Sequence, residues 1–246
     1  MRPQHPSPDR APEVLAVVPA RAGSKGLVGK NLRQVAGLTL VGHAVRAAAE
    51  STLVTRIIGS TDGAAIAEEF RRLGAEVPGL RPAELAADDT PDAPVFHHVL
   101  EVLFDRDGYR PDIVVNVRPT APLRTGRHID EAIDALLAAP HADSVKSVSP
   151  AGEHPYKMWT LGPDRLEPLL PEWHTRFDGD PDVARQRLPA VLKSNGAVDA
   201  VRVEALLRSD RFHPGVVVPY VMDADAAIDI DTADDLALAE SLLGQR

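Results

Sequence analysis

PARAGSKGLVGKN, residues 19–31, follows directly on the apolar run VLAVV at residues 14–18. A short β-branched run that stops at a proline reads as a buried strand, and the glycines at Gly23, Gly26 and Gly29 read as the loop that leaves it. The apolar-periodic stretch 40–49 then reads as a helix. The loop carries Arg21, Lys25 and Lys30. Glycines let backbone N–H groups approach anionic oxygens, and the cations neutralise charge, so this strand–loop–helix reads as the polyphosphate-binding first crossover of an α/β sheet. It is no Walker A loop, because Asn31 stands where Ser or Thr is required, and it lacks GxGxxG. The competing reading is an ordinary βα connection with solvated basic residues.

The same alternation continues outward. Residues 56–59, 113–117 and 144–148 read as strands, and 64–73, 94–104 and 129–137 as helices, which predicts a mostly parallel sheet covered on both faces. Between about 152 and 190 the regularity fails: prolines at 155, 163, 168, 171 and 181, with Trp159 and Trp173, mark an insertion or arm. Strand patterns return at 197–201, 216–221 and 228–231. A last helix spans 233–243, with Thr232 as its N-cap.

The chain of 246 residues lies within the range of one large domain and has a formal net charge of -9, which argues against broad nucleic-acid binding. Any anionic ligand is therefore met by a local cluster of cations. Cysteine is absent, so thiolate chemistry and disulfides are excluded and a metal must be held by oxygen or imidazole. Residues 1–13 are rich in proline and charge, lack the apolar core of a signal peptide and read as a disordered extension ahead of a domain at 14–246; no run approaches the ~20 apolar residues of a membrane span. The expectation is a soluble, cytoplasmic protein with no membrane partner.

Two further segments carry chemistry. In IDIDT, residues 228–232, alternation on a strand puts Asp229 and Asp231 on one face, and paired hard oxygen ligands suit Mg²⁺. A second reading makes Asp231 part of the cap of the final helix. RPTAPLRT, residues 118–125, follows the buried strand 113–117, so Arg118 and Thr120 fall at its C-terminal edge, where open α/β sheets bind ligands.

These segments together resemble the CMP-sialic acid synthetases, whose N-terminal loop runs PARxGSKGxxxKN. STD at 60–62, RPAELAADDT at 81–90, RPTAPLRT, HPYK at 154–157, RQRLP at 185–189, NGA at 195–197 and IDIDT follow in order, so the resemblance covers nearly the whole chain after the extension. It implies a Rossmann-like, glycosyltransferase-A-like nucleotidyltransferase fold, CTP as donor, Mg²⁺, and a homodimer whose arms complete each other's sites. By the same resemblance Ala20, Arg21, Ser24, Lys30 and Asn31 bind the nucleotide, Arg81 lies by the cytosine, and the loop through Thr90 closes over it. Lys157, Arg185, Lys193 and Asn195 fall on the acceptor side, and Asp229 and Asp231 hold the metal. Arg21, Lys25, Lys30 and Asp229 are the expected catalytic residues.

Departures from the family pattern cluster on the acceptor side. Arg118 stands where glutamine is usual, Asp199 where a tyrosine is usual, and Lys193 where an arginine is usual. An added fork-shaped cation and a lost aromatic surface shift the expected acceptor from a nine-carbon sugar acid to a small phosphonate or phosphonocarboxylate. The expected reaction is transfer of CMP from CTP to a small anionic acceptor with release of pyrophosphate. A sialic, other nonulosonic or ulosonic acid is the alternative acceptor, and a non-catalytic CTP-binding module is the alternative outside the class.

Overall fold

A computed structural model describes residues 10–23, 26–172, 180, 182–223 and 226–245. Along the chain the elements run β1 (Val14–Pro19), β2 (Gln34–Val35), β3 (Leu38–Thr39), α1 (Leu40–Glu50), β4 (Arg56–Ser60), α2 (Ala64–Arg72) and α3 (Asp92–Asp107). They continue with β5 (Ile113–Asn116), α4 (Gly126–Leu137), β6 (Ser144–Pro150), β7 (Trp159–Leu161), β8 (Leu166–Pro168), β9 (Leu192–Arg202), α5 (Val203–Leu206), β10 (Val217–Val221) and α6 (Ala233–Leu243). Two compact units result, Met1–Val148 with Ser194–Arg246, and Ser149–Lys193.

The larger unit is built on a six-stranded sheet of order β10-β6-β9-β5-β1-β4. β1 pairs in parallel with β4 and β5, and β10 with β6, while β9 runs antiparallel to β5. The fold is thus α/β with a mostly parallel sheet. β1 is apolar throughout because both faces are covered. Val14, Ala16 and Val18 pack with the apolar faces of α1 and α4, whereas Leu15 and Val17 pack with Phe96, Val99 and Leu103 of α3. Close approach of α4 to α1 depends on Gly126, where a Cβ would lie 2.5 Å from the carbonyl carbon of Glu50.

The periodic elements lie where the sequence puts them, with helices α3 and α4 and strand β9 extending further. Segment 228–231 differs. It belongs to no strand, and a single backbone bond, Ile230 N–H to the Thr120 carbonyl at 2.8 Å, ties it to the loop after β5. The apolar–acidic alternation survives in this coil because Ile230 is buried with Val35, Leu40 and Leu123 while its neighbours face outward. Thr232 caps α6 as expected: Asp235 N–H donates to its hydroxyl at 3.2 Å, and the Asp235 carboxylate accepts from Thr232 N–H at 2.8 Å. The small β2–β3 hairpin was not legible. Its turn places both Ala36 (φ 48°) and Gly37 (φ 79°) in the left-handed region, and only one of them is a glycine.

The second unit contains the segment 152–190 read as an arm. Within it Tyr156 packs on Val183 and Leu188, and its hydroxyl donates to the Asp180 carbonyl at 2.6 Å. β7 and β8 form an antiparallel hairpin bearing exposed Trp159, Leu161 and Leu166. Residues 1–9 of the expected N-terminal extension and Trp173 lie outside the described residues. Among the described residues no helix is long and apolar enough to cross a membrane.

Candidate active site

A cleft of about 340 Å³ opens at the C-terminal ends of β1 and β5, where the parallel strands release their loops. Four basic residues, Arg21, Lys30, Arg81 and Arg118, and three acidic ones, Asp88, Asp92 and Asp231, line it together with Asn31, Thr90 and Thr120. Four chain segments remote in sequence thereby meet: the glycine loop after β1, residues 81–95, the turn after β5, and Asp231 ahead of α6.

The first described residues of the glycine loop are fixed by their neighbours. Ala20 N–H donates to the Ser60 carbonyl at 2.9 Å, Ala22 N–H to the Asp62 carboxylate at 2.8 Å, and buried Asn31 donates from Nδ2 to the Arg21 carbonyl at 2.8 Å. Asn31 thus shapes the loop from behind. Gly26 passes Asp231 so closely that a Cβ would stand 3.0 Å from the Asp231 carbonyl oxygen. Ser24 and Lys25, both expected in the site, lie outside the described residues.

Each of three cleft cations faces an acid. The Arg21 guanidinium meets the Asp88 carboxylate, and that of Arg118 meets Asp92. Lys30 Nζ lies 2.9 Å from Asp231 Oδ1 and 2.8 Å from the Ile230 carbonyl oxygen. Arg81 is different, being buried against backbone: Nη2 donates to the Ser60 carbonyl at 2.6 Å and Nε to the Ser60 hydroxyl at 3.2 Å. Burial pulls its pKa down from the usual arginine value, opposed by the charge of Asp62. Thr90 stands at the cleft wall, its hydroxyl donating to the Glu84 carbonyl at 3.3 Å.

Arg124, from the same RPTAPLRT segment, is a buried residue of the scaffold. It donates from Nη1 to the carbonyls of Arg118 and Ala197, both at 2.8 Å, and burial without an acidic partner pushes its pKa down to about 9. It fixes the turn that presents Arg118.

Several acceptor-side expectations change. Asp199 is buried, accepts from Ser147 N–H at 3.2 Å and lies 3.5 Å from His213 Nε2, so its carboxylate serves the sheet and is absent from the cleft wall. Asn195 is buried too. Its Oδ1 accepts from the Ser147 hydroxyl at 2.6 Å and from Ala197 N–H at 3.1 Å, which shapes the β9 bend at Gly196 (φ 65°). Lys157, Arg185 and Lys193 belong to the second unit, where all three are exposed and Arg185 donates to the Ala151 carbonyl at 3.4 Å.

Of the two expected metal ligands, Asp231 lines the cleft, while Asp229 is exposed and is not part of its wall. No cluster of three or more metal-ligating side chains occurs among the described residues. That donor set fits a hard divalent cation which takes one or two carboxylates and completes its shell with substrate oxygens and water. Asp231 is engaged by Lys30, and Asp235, not Asp231, is the capping-box partner of Thr232 at the start of α6. The sequence missed Asp88 and Asp92, because an acid in a loop has no signal until its basic partner is brought to it.

A mostly parallel sheet whose strand ends gather cations beside a glycine loop suits the binding of a nucleotide's phosphates, and similarity to known proteins places the chain among the nucleotidyltransferases. The family described as "Cytidylyltransferase" matches residues 15–158. CMP-N,N'-diacetyllegionaminic acid synthase of Legionella pneumophila is 32% identical over 94% of this chain and 96% of its own length. N-acylneuraminate cytidylyltransferase of Escherichia coli is 28% identical over 92% of this chain, which spans 51% of that longer protein. A solved CMP:2-keto-3-deoxy-manno-octonic acid synthetase in complex with CTP shares the fold, with a TM-score of 0.68 at 15% identity over 95% of this chain and 99% of the other. The chain belongs to the CMP-sialic acid synthetase family of cytidylyltransferases: it is a CTP-dependent enzyme of a kind that generally uses a divalent metal. The reading as a non-catalytic CTP-binding module falls away with that membership.

Proposed function

We propose that the chain transfers CMP from CTP to the hydroxyl of a nonulosonic acid, releasing pyrophosphate. The observation that carries this choice of acceptor is the charge balance of the cleft. A phosphonate reading required Arg118 to stand as an added, uncompensated cation, and Arg118 is compensated by Asp92. The relatives named above are synthases of CMP-linked nonulosonic acids, which agrees with an acceptor carrying one carboxylate and several hydroxyls.

In the proposed mechanism the acceptor oxygen bonds to the α-phosphorus of CTP while the bond to the β-phosphate bridging oxygen breaks. Pyrophosphate leaves with that electron pair. Arg21, Lys25 and Lys30 neutralise the triphosphate, Ala20 and Asn31 shape the loop around it, Ser24 contacts the nucleotide as the resemblance implies, and Arg81 with Thr90 frames the base. The exposed carboxylate of Asp229, two residues before cleft-lining Asp231, takes the hydroxyl proton. Mg²⁺, held by Asp231 with substrate oxygens, would supply charge neutralisation at the phosphates. Lys157, Arg185 and Lys193 are the proposed partners of the acceptor carboxylate, as the resemblance implies. A homodimer is proposed on the same ground, supported by the exposed apolar side chains of the β7–β8 hairpin.

Pyrophosphate release with CTP and Mg²⁺ tests this directly against a panel of N-acetylneuraminic acid, N,N'-diacetyllegionaminic acid, a deoxy-octulosonic acid and small phosphonates. Turnover of a nonulosonic acid is the expected result. Turnover of a phosphonate alone would overturn the acceptor assignment and leave cytidylyl transfer standing.

A further inference from the structure

Asp92 is the first residue of α3, 26 positions before Arg118 in sequence, and its carboxylate lies in the cleft wall beside that guanidinium. The same carboxylate oxygen, Oδ2, accepts from Arg118 Nη2 and from Asn116 Nδ2, the latter at 3.3 Å. Asn116 is fully buried at the end of β5, so its amide is a fixed point of the scaffold. The other end of the arrangement is equally fixed. The Arg118 carbonyl is held by buried Arg124 at 2.8 Å, and the Arg118 side chain runs past Gly196, where a Cβ would be in ordinary contact with Arg118 Cδ at 3.5 Å.

Two consequences follow from chemistry. A guanidinium bonded to a carboxylate carries no net charge as a pair, so it attracts a second anion weakly, yet its remaining N–H groups still donate in fixed directions. Arg118 Nε and Asn116 Oδ1 are both buried and without a hydrogen-bond partner, a donor and an acceptor attached to groups that converge on one oxygen. The residue that decides whether Arg118 acts as a free cation or as an oriented donor is therefore Asp92.

We propose that Asp92 is a positioning and specificity-determining residue: by neutralising and orienting Arg118 against Asn116, it makes this end of the cleft select a hydroxyl-bearing, singly charged acceptor over a dianionic one. The assignment rests on the acceptor reading above. Asp92 acts through Arg118 and takes no part in bond making.

The test compares Asp92→Asn, Asp92→Glu, Arg118→Gln and the Asp92→Asn/Arg118→Gln double variant, with CTP and the best acid of the panel. Asp92→Asn is expected to raise the acceptor KM about 10-fold or more while the CTP KM moves less than about 3-fold, as for loss of one partner of a charge-assisted pair. Asp92→Glu restores most of the acceptor KM. The double variant behaves like Arg118→Gln alone to within about 2-fold, because coupled residues are not additive. Phosphonoacetate, a small dianionic probe, is expected to inhibit Asp92→Asn more strongly than wild type, since Arg118 is then uncompensated. That readout does not move if Asp92 merely supports α3. An unchanged acceptor KM, equal losses toward CTP and acceptor, multiplicative effects of the two substitutions, or unchanged phosphonoacetate inhibition would each overturn the inference alone. Failure of the wild type to use any nonulosonic acid would overturn the acceptor reading and this inference with it.

Discussion

Lys30 shows how much one side chain does in this cleft. Its ammonium is mostly buried and bridges the glycine loop to the Ile230 carbonyl and the Asp231 carboxylate, 200 and 201 positions away in sequence. Lys30→Ala is expected to lose about 10²–10³ in kcat, as for one charge-assisted contact to developing charge, and to lose about 1–3 kcal/mol of stability because a charged hydrogen bond is removed. Asp231→Asn separates the roles. Its carboxylate is exposed, so the melting temperature should hardly move, while the Mg²⁺ concentration needed for half-maximal rate should rise. If Asp231→Asn instead lowered the melting temperature and left the metal requirement unchanged, its role would be structural. The cations themselves were legible, because glycines and basic residues crowd one short loop. Their pairing with acids was not, even though Asp231 itself was singled out: Asp88, Asp92 and Asp231 meet Arg21, Arg118 and Lys30 across 67, 26 and 201 positions, and no local pattern encodes such pairing.

Among the elements, the β4 end of the sheet carries a cluster of charges. β4 is an edge strand, and its Arg56 is clamped bidentately by Glu76 at 2.8 and 2.9 Å and by Asp107 of α3 at 2.8 Å, with Arg106 joining both acids. Hydrogen bonding to Arg56 holds Glu76 and Asp107 each down to about 2, below the usual carboxylate range. A carboxylate depressed in the folded state contributes stability that is complete above its ordinary pKa and is lost as pH falls toward the folded value. Acid melts should therefore show a fall in melting temperature between about pH 4.5 and pH 2, blunted in Glu76→Gln and in high salt, since these groups are partly solvated. An identical profile for the variant would remove this cluster from the account of edge stability. Helices and strands such as α1 and β1 were legible because burial imposes one period along their whole length. The segment 228–231 misled for the same reason: burying Ile230, with Ile228 packed partly against the same cluster, is enough to imitate a strand, although a ladder needs a neighbouring backbone and this segment has one backbone–backbone bond, to Thr120.

At the scale of the molecule, an acidic protein of net charge -9 needs a local gathering of cations to bind a polyanion, and in the cleft Arg21 and Lys30 are each seated on an acid, so entering phosphates are expected to exchange with those acids. Exchange of partners costs less than desolvating free charges, because each cation is already partly stripped of water in the unliganded form. Binding energy then appears as stabilisation of the native state through mass action. At a hundredfold excess over its dissociation constant a ligand contributes about 2.7 kcal/mol, and for a chain of this size each kcal/mol moves the melting temperature by about 2–4 °C. CTP with Mg²⁺ is therefore expected to raise the melting temperature by roughly 5–10 °C. ATP at the same concentration should raise it far less, because Arg81 is anchored to the backbone of β4 and is not free to swing aside for a larger base. Chelation of the metal should reduce the CTP shift, and Lys30→Ala should reduce it further. An equal shift with ATP would mean that the cleft reads phosphates alone and that Arg81 and Thr90 have no part in choosing the base.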